Sequence, residues 1–581
     1  MTTIEKLSVG LSQEVRQFAI LTRHFFHRFF QNDLVDFEDQ MKEKVITGLV
    51  FLAILGGHIA NSTLMKYLFI PEEGLSWVEK CYFFFFFMTF LGFITVIDWE
   101  VIFPDRRDYA NLIPLPVRLR TLLLAKSASF FLLIGLYSLA ANALATLVFI
   151  FYLPQHQSTS PLWTMRYAAA HLASALLSNA LAFFLCASIQ GLLMSLFSYR
   201  LYRKINVLAR FILLTLFFFL MLFSLTESVS LPQSLKSFPE LRFNDALFLR
   251  VFPPMWFVGV YETLLGQKDP FFHGLAQTAM LGLAVTILLF FLTAYLSYFM
   301  HLKKSVEVER GRGRLKKVKH LLGAAFNGLF LRNLTQRAVF HFFGKTLARS
   351  TPHKMRLFAY LAISTGLVLI LLASTNLVRR ELTVTNRTLL AIPLIMSFFL
   401  LVGLRSLVNV PVSLEANWLF RLTERSPRRH YIAGFKKGIF FLWLVPLHGL
   451  FYFFYWPLWG WKPALWHCLF GLTASLLLVE ILFFGRLKIP FACSYLPGKA
   501  RIHLYWLFYV LGFLLFVSGL SSLERSFFSH PDRFYYFYGV MGMLFLASQL
   551  YSEFFLYRRR PILYEEEAEP VLISLEALSG N

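Results

Sequence analysis

Charge is scarce in this sequence, and negative charge scarcest: 15% of residues are Asp, Glu, Lys or Arg, with 33 acids against 56 bases. A chain that is also 57% hydrophobic has too little polar surface to coat a soluble fold of its size, which excludes an ordinary soluble globular protein. Cysteine is sparse as well. Cys81, Cys186, Cys468 and Cys493 are scattered without CxxC spacing, so neither a disulfide framework nor a structural zinc site is supported.

The short motifs of nucleotide and hydrolytic chemistry are missing too. Gly344-Lys345-Thr346 ends like a phosphate-binding loop, but the position five before Gly344 is Val339 and no strand-like run leads into it, so ATP binding by that device is excluded. HExxH, GxSxG and carboxylates at metal-ligand spacing do not occur. The expectation is a chain that is not an enzyme, with no catalytic residue, cofactor or metal of its own. The excess of positive charge points to loops facing anionic lipid rather than to nucleic acid.

What is present is one apolar run after another, each about the 20 residues a helix needs to cross a bilayer. The runs carry no strand-like alternation, so the fold class is an all-α polytopic membrane protein. Twelve spans are read at about 45–70, 82–103, 125–152, 167–198, 207–226, 272–300, 355–374, 388–410, 437–457, 463–484, 503–521 and 535–556. The expected organisation is a cytoplasmic amphipathic segment (1–44), a six-span half (45–300), a basic linker with an amphipathic helix (301–354), a second six-span half (355–556) and a cytoplasmic tail (557–581). The first long apolar run begins only near Val45, so no cleavable signal peptide is expected. Most Lys and Arg fall in alternate connections, which sets both termini in the cytoplasm. On this reading a short outer loop holds Glu72, Glu73 and Glu79. A longer outer segment, with FLRVFPPMWFVGVYETLLG, has the adjacent prolines and aromatic belt of an interfacial or re-entrant helix.

The halves share landmarks. LTRHFFHRFF near the N-terminus is echoed by AVFHFFGKT, with Phe25 matched by Phe342. DYANLIPLPVRLRTLLLAK (Asp108–Lys126) is echoed by SLEANWLFRLTERSPRRHYIAGFKK (Ser413–Lys437). Each of these charged handles has an acid, Ala-Asn, an apolar group, a proline-containing basic turn and a Lys at the mouth of the next span. The landmarks recur at a spacing of about 310 positions, which reads as an internal duplication whose second half lacks the long outer segment. The apolar anchors inside the handles (Leu112, Ile113, Leu115; Trp418, Leu419, Phe420) exceed what a solvated turn needs. Two readings stand: docking to a cytoplasmic protein, or packing on the chain's own amphipathic helix.

Ionisable groups at membrane depth cost a few kcal/mol unless they face a cavity or a partner. Glu480 lies near the inner end of its span, where the first half has Gln190, and Asp98, Glu100 and Glu553 lie near inner span ends. Glu480, Gln190 and Glu100 are candidates for a pathway or gate; the plainer reading of Glu480 is an interhelical hydrogen-bond or Arg partner. The single histidines His58, His171, His448 and His467 read as packing contacts, and the Phe clusters as lipid-facing or packing surface. Asn61, Asn333 and Asn386 match Asn-x-Ser/Thr at about the chance rate.

Taken together, each half resembles the permease of a type-2 ABC exporter, on LTRHFFHRFF with Asp108, Asn111, Pro114, Pro116, Arg118 and Lys126, and on AVFHFFGKT with Glu415, Asn417, Trp418, Arg421, Arg428 and Lys436. The resemblance covers nearly the whole chain and is architectural. Family permeases usually carry one six-span half per chain and dimerise; on this reading two are fused here. The resemblance implies a bacterial cytoplasmic membrane exporter driven by ATP and Mg in separate ATP-binding subunits, two of them. These would dock on coupling helices that hold Asp108, Asn111, Arg118, Arg120, Glu415, Asn417, Trp418, Arg421 and Arg428. The alternatives are an ion- or proton-coupled secondary transporter, or a membrane scaffold or enzyme acting on lipid-linked substrates.

Overall fold

The computed structural model describes residues 3–30, 38–65, 76–102, 117–152, 161–234, 247–304, 326–374, 383–408, 410–412, 417–422, 429–485, 488–493, 506–552 and 554. Among the described residues every regular element is helical and none is a strand. In hydrocarbon no water can satisfy a stray backbone N–H, and a helix satisfies its own. Eleven of the described helices are long and apolar enough to cross a membrane, so the chain is an all-α, multi-pass integral membrane protein. It forms two compact units, Met1–Val308 and Glu309–Asn581.

The first unit runs α1 (Thr3–Phe30), α2 (Glu38–Leu64), α3 (Ser76–Ile97), α4 (Trp99–Ile102), α5 (Leu119–Tyr152), α6 (Pro161–Leu196), α7 (Tyr199–Ser234), α8 (Leu247–Val251), α9 (Pro253–Leu265) and α10 (Pro270–Lys304). Helices α2, α3, α5, α6, α7 and α10 supply six candidate spans. At its centre stand α3 and α6, with 72% and 67% of their apolar windows buried; α7 packs on α3, α10 on α6 and α2 on α5. The last contact is backbone-close, since a Cβ at Gly56 would fall 1.8 Å from the Ala141 carbonyl oxygen. Only glycine fits there, as is common where membrane helices approach tightly. Helix α9 is the expected outer element. Its 13 residues span about 20 Å at 1.5 Å per residue, short of a hydrocarbon core, and it packs on α10, α6 and α3.

One boundary differs from the sequence reading. Glu79, expected in a loop, lies in the first turn of α3 and is buried. The helix starts early because Lys80, its neighbour, has a buried counter-ion on α9, so charge does not end the element.

The second unit runs α11 (Leu334–Arg349), α12 (Thr351–Ser374), α13 (Arg387–Leu407), α14 (Asn417–Leu422), α15 (Arg429–Ile439), α16 (Val445–Trp459), α17 (Trp461–Leu482), α18 (Trp506–Leu514), α19 (Leu520–Ser529) and α20 (Arg533–Tyr551). A π turn at Phe440–Leu444 carries α15 into α16, and another at Leu515–Gly519 carries α18 into α19. Five candidate spans result: α12, α13, α15 through α16, α17, and α18 through α19. Helix α13, again the second span of its unit, has 72% of its window buried and packs on α12, α16, α17 and α19. Pro393 inside α13 deprives the Leu389 carbonyl of its helical donor. The Tyr455 hydroxyl donates to that carbonyl at 2.7 Å, so the break is filled by a neighbouring span.

The twelfth span expected at 535–556 is less apolar than the rest. Helix α20 occupies its place but is not among the eleven, because Arg533, Tyr535, Tyr536, Tyr538 and Tyr551 dilute its aliphatic content. Glu553, the tail 557–581 and most of the basic linker lie outside the described residues.

Candidate functional site

In both units an amphipathic helix is clamped to the start of the span that follows a handle. In the first unit α1 packs on α5, where Leu21 and Phe25 bury against Ala125. The Lys126 ammonium lies over the Phe25 ring, 5.4 Å from its centroid, and Arg118 pairs with Glu14 of α1. In the second unit α11 packs on α15. Phe343 meets Phe435 edge to face at 5.2 Å, and a Cβ at Gly434 would fall 2.6 Å from the Gln336 carbonyl oxygen. Asn333 starts α11 by accepting from the Thr335 and Gln336 amides. That explains one Asn-x-Thr match as a helix cap; Asn386 caps α13 in the same way, and Asn61 accepts from the Tyr152 hydroxyl.

Besides residues 429–437 in α15, the described part of the second handle is α14. Its Phe420 is buried against Phe342 of α11 with ring centroids 5.1 Å apart, while Trp418 and Leu422 are 58% and 71% exposed. One face of this turn is thus anchored to the chain's own amphipathic helix, and the other presents apolar side chains outward. Asn417 and Arg421 lie in α14 and are described by backbone alone. Arg118 and Arg120 are exposed at the start of α5. Asp108, Asn111, Glu415 and Arg428 lie outside the described residues.

Glu480 is where the handle reaches the membrane interior. Its carboxylate takes the Lys436 ammonium at 2.6 Å, the Gln549 amide at 2.9 Å and the Ser548 hydroxyl at 3.1 Å. Those contacts join α15, α17 and α20. Glu480 has interhelical hydrogen bonds as expected, but its cation is a lysine where an arginine was expected, and that lysine closes the second handle. Gln190 plays a similar mechanical part: its amide donates to the Trp99 carbonyl at 2.7 Å, tying α6 to α4. Glu100 lies on α4, its side chain outside the described set. A shift of α15 must therefore carry α17 and α20 with it or part a mostly buried ion pair, which costs several kcal/mol.

Two further buried clusters pair ionisable side chains in ways that escaped the sequence reading. In the first unit Lys80 on α3 binds Glu262 on α9 at 2.6 Å, with side chains only 3% and 7% exposed. The ammonium also faces the Tyr261 ring at 4.3 Å and the Tyr167 ring at 5.5 Å. Beside them His171 contacts Asn142 at 3.2 Å and packs on Phe149 and Phe83. In the second unit His467 on α17 meets Glu524 on α19 at 2.7 Å, both fully buried. Tyr455 packs edge-on to that imidazole at 4.7 Å, and His448 binds the Leu444 carbonyl at 3.0 Å. Buried histidines as packing contacts thus fit His171, His448 and His467, whereas His58 is exposed. The available signal was a charge inside an apolar word, as in WVEKCYFFFFF and FVGVYETLL; which word pairs with which is set by the fold.

Among the described residues no group of three or more His, Cys, Asp or Glu is placed to hold a metal ion, and all four cysteines are buried thiols. The contacts of these sites are ion pairs and hydrogen bonds between helices. Comparison with protein-family models, curated proteins and solved structures finds no match to this chain.

Proposed function

We propose that this chain is the permease of an ATP-driven exporter, energised by two separate ATP-binding subunits that dock on its handles and need ATP and Mg. The observation that carries the reading is α14. Its Phe420 is seated on the amphipathic helix while Trp418 and Leu422 face outward, as a docking turn requires if force is to pass into the protein rather than bend a loop. Lys436 then couples that handle to Glu480 and so to α17 and α20. The two units would be duplicated halves of a permease for an amphipathic or lipid-like substrate. The orientation implied by the charge pattern puts both termini in the cytoplasm, and the resemblance places the protein in a bacterial cytoplasmic membrane.

The test is purification of the tagged chain from its native membranes in mild detergent. The expected result is co-purification of an ATP-binding subunit and an ATPase activity that Trp418→Ala reduces at least about tenfold, the loss of a buried aromatic anchor at an interface. A chain that purifies alone from those membranes, or an ATPase indifferent to Trp418→Ala together with Arg118→Ala, overturns the proposal. Glu480→Gln separates it from a proton-coupled carrier, which would lose transport while any ATPase remained intact.

A further inference from the structure

A groove of about 410 Å³ lies within the second unit where α11, the first turns of α12 and the π turn meet. This is within the range of about 300–1,000 Å³ typical of small-ligand sites. Its walls are apolar: Phe340 and Leu347 from α11, Leu357 and Phe358 from α12, and Leu442 and Trp443 from the π turn. Its polar lining consists of Lys345, Lys354 and His341, with no acidic residue. His341 is engaged by Asn327 at 3.0 Å; burial, with the Lys345 and Arg337 cations nearby, holds its pKa below the ordinary imidazole value. The positive charge therefore rests on Lys345 and Lys354, and neither ammonium makes an ion pair or hydrogen bond among the described residues.

Sequence explains why the groove is open. Gly344 faces Leu442, and a Cβ there would fall 2.8 Å from the Leu442 Cδ1. The extra residue of the π turn rotates Leu442 and Trp443 out of register with α15, a local widening often found at functional sites. Its position matters as much as its shape. The amphipathic α11 ends at Arg349 and the span α12 begins at Thr351, so the groove crosses from a polar-faced helix into two spanning helices. That boundary is where phospholipid headgroups meet acyl chains, and where Trp and Lys concentrate in membrane proteins.

We infer that this groove is a binding site for an anionic phospholipid, one acyl chain lying against Phe340, Leu347, Phe358, Leu442 and Trp443, and the headgroup phosphate bridging Lys345 and Lys354. An apolar wall beside two uncommitted ammonium groups has the complementary chemistry of such a lipid, and a zwitterionic headgroup offers them no net charge. The site fastens α11 to the bilayer and so steadies the helix on which Phe420 of α14 is seated. The inference holds whether or not an ATP-binding subunit docks on that handle.

The test uses the full-length protein in detergent, titrated with phosphatidylglycerol or phosphatidylcholine carrying the same brominated acyl chain, with bromine quenching of Trp443 fluorescence read as the difference from Trp443→Phe. Quenching at about thirtyfold lower phosphatidylglycerol than phosphatidylcholine is expected, from roughly 1 kcal/mol for each of two lysines. Lys345→Gln with Lys354→Gln should erase that preference while leaving chain-dependent quenching. Gly344→Leu should fill the groove and abolish quenching by both lipids. Equal quenching by the two lipids in the unmodified protein, or a preference that survives the double lysine substitution, overturns the inference. If a protein segment occupies the groove, neither lipid quenches Trp443, which overturns it equally. Should Gly344→Leu fail to fold, the double lysine variant still decides, because both positions are on the groove's rim rather than in the core.

Discussion

In the first unit a buried ion pair ties a candidate span to a short helix, and in the second unit such contacts tie candidate spans to one another and to α20. In the first, Lys80 reaches from α3 to Glu262 on the 13-residue α9; in the second, Lys436–Glu480 and His467–Glu524 join α15, α17, α19 and α20. Each unit thus keeps buried charge, but at a different joint. The first unit uses charge to hold the short α9 on α3, and the second places its acid–base pairs between longer helices. The pairs also differ in reserve: Glu480 has two neutral donors beside its lysine, whereas the hydrogen bond that Glu262 accepts comes from Lys80.

That difference in reserve ranks the expected effects. Lys80→Met strands a buried carboxylate and should lower stability by about 3–5 kcal/mol, whereas Lys80→Met with Glu262→Leu should recover most of the loss, because an apolar pair of like volume is often neutral. Thermal unfolding of the purified protein, read by tryptophan fluorescence, checks both. A single variant as stable as the double would show that Glu262 has another counter-ion and would erase the contrast between the units. Lys436→Met should cost less, about 1.5–3 kcal/mol, since Ser548 and Gln549 still serve Glu480; the same melt, with Gln549→Leu added, should then reveal the missing reserve as a further loss.

A third variant probes how the amphipathic helices are held. Gly434→Ala should cost about 1–3 kcal/mol by driving a methyl group into the Gln336 backbone, and protease sensitivity of α11 should rise with it; unchanged sensitivity would mean α11 yields without leaving α15. The smallest effect belongs to the surface. Trp418→Ala should change stability by less than about 0.5 kcal/mol while removing the proposed docking contact, so a large loss of stability there would recast α14 as a structural clasp.

How far these features were legible beforehand varies with the physics behind them. The first eleven spans coincide with candidate spans whose ends differ by up to eight residues, because apolar length is a local property. At the place of the twelfth the structure has the helix α20, where tyrosine reads as aromatic yet dilutes hydropathy. The clamp of each amphipathic helix was visible only as repeated words, His24-Phe25-Phe26 and His341-Phe342-Phe343. In the fold the residue buried against the following span is Phe25 in one and Phe343 in the other, a shift of one position that no repeat count reveals. For α14 the structure shows the packing reading of the handle, with Phe420 turned to α11, while Trp418 is turned away and exposed.

By itself, the sequence determined that this is a helical membrane protein, roughly where its helices lie, and which motifs of nucleotide and hydrolytic chemistry its chain does without. Those properties follow from segments about 20 residues long and need no partner. The tertiary structure decided which charges meet. Lys80 and Glu262 are separated by 182 positions and Lys436 and Glu480 by 44, and no local pattern specifies such a pairing. Whether an acid at membrane depth is a gate, a lock or a liability depends on what stands within hydrogen-bonding reach of it, and only the folded chain supplies that neighbour.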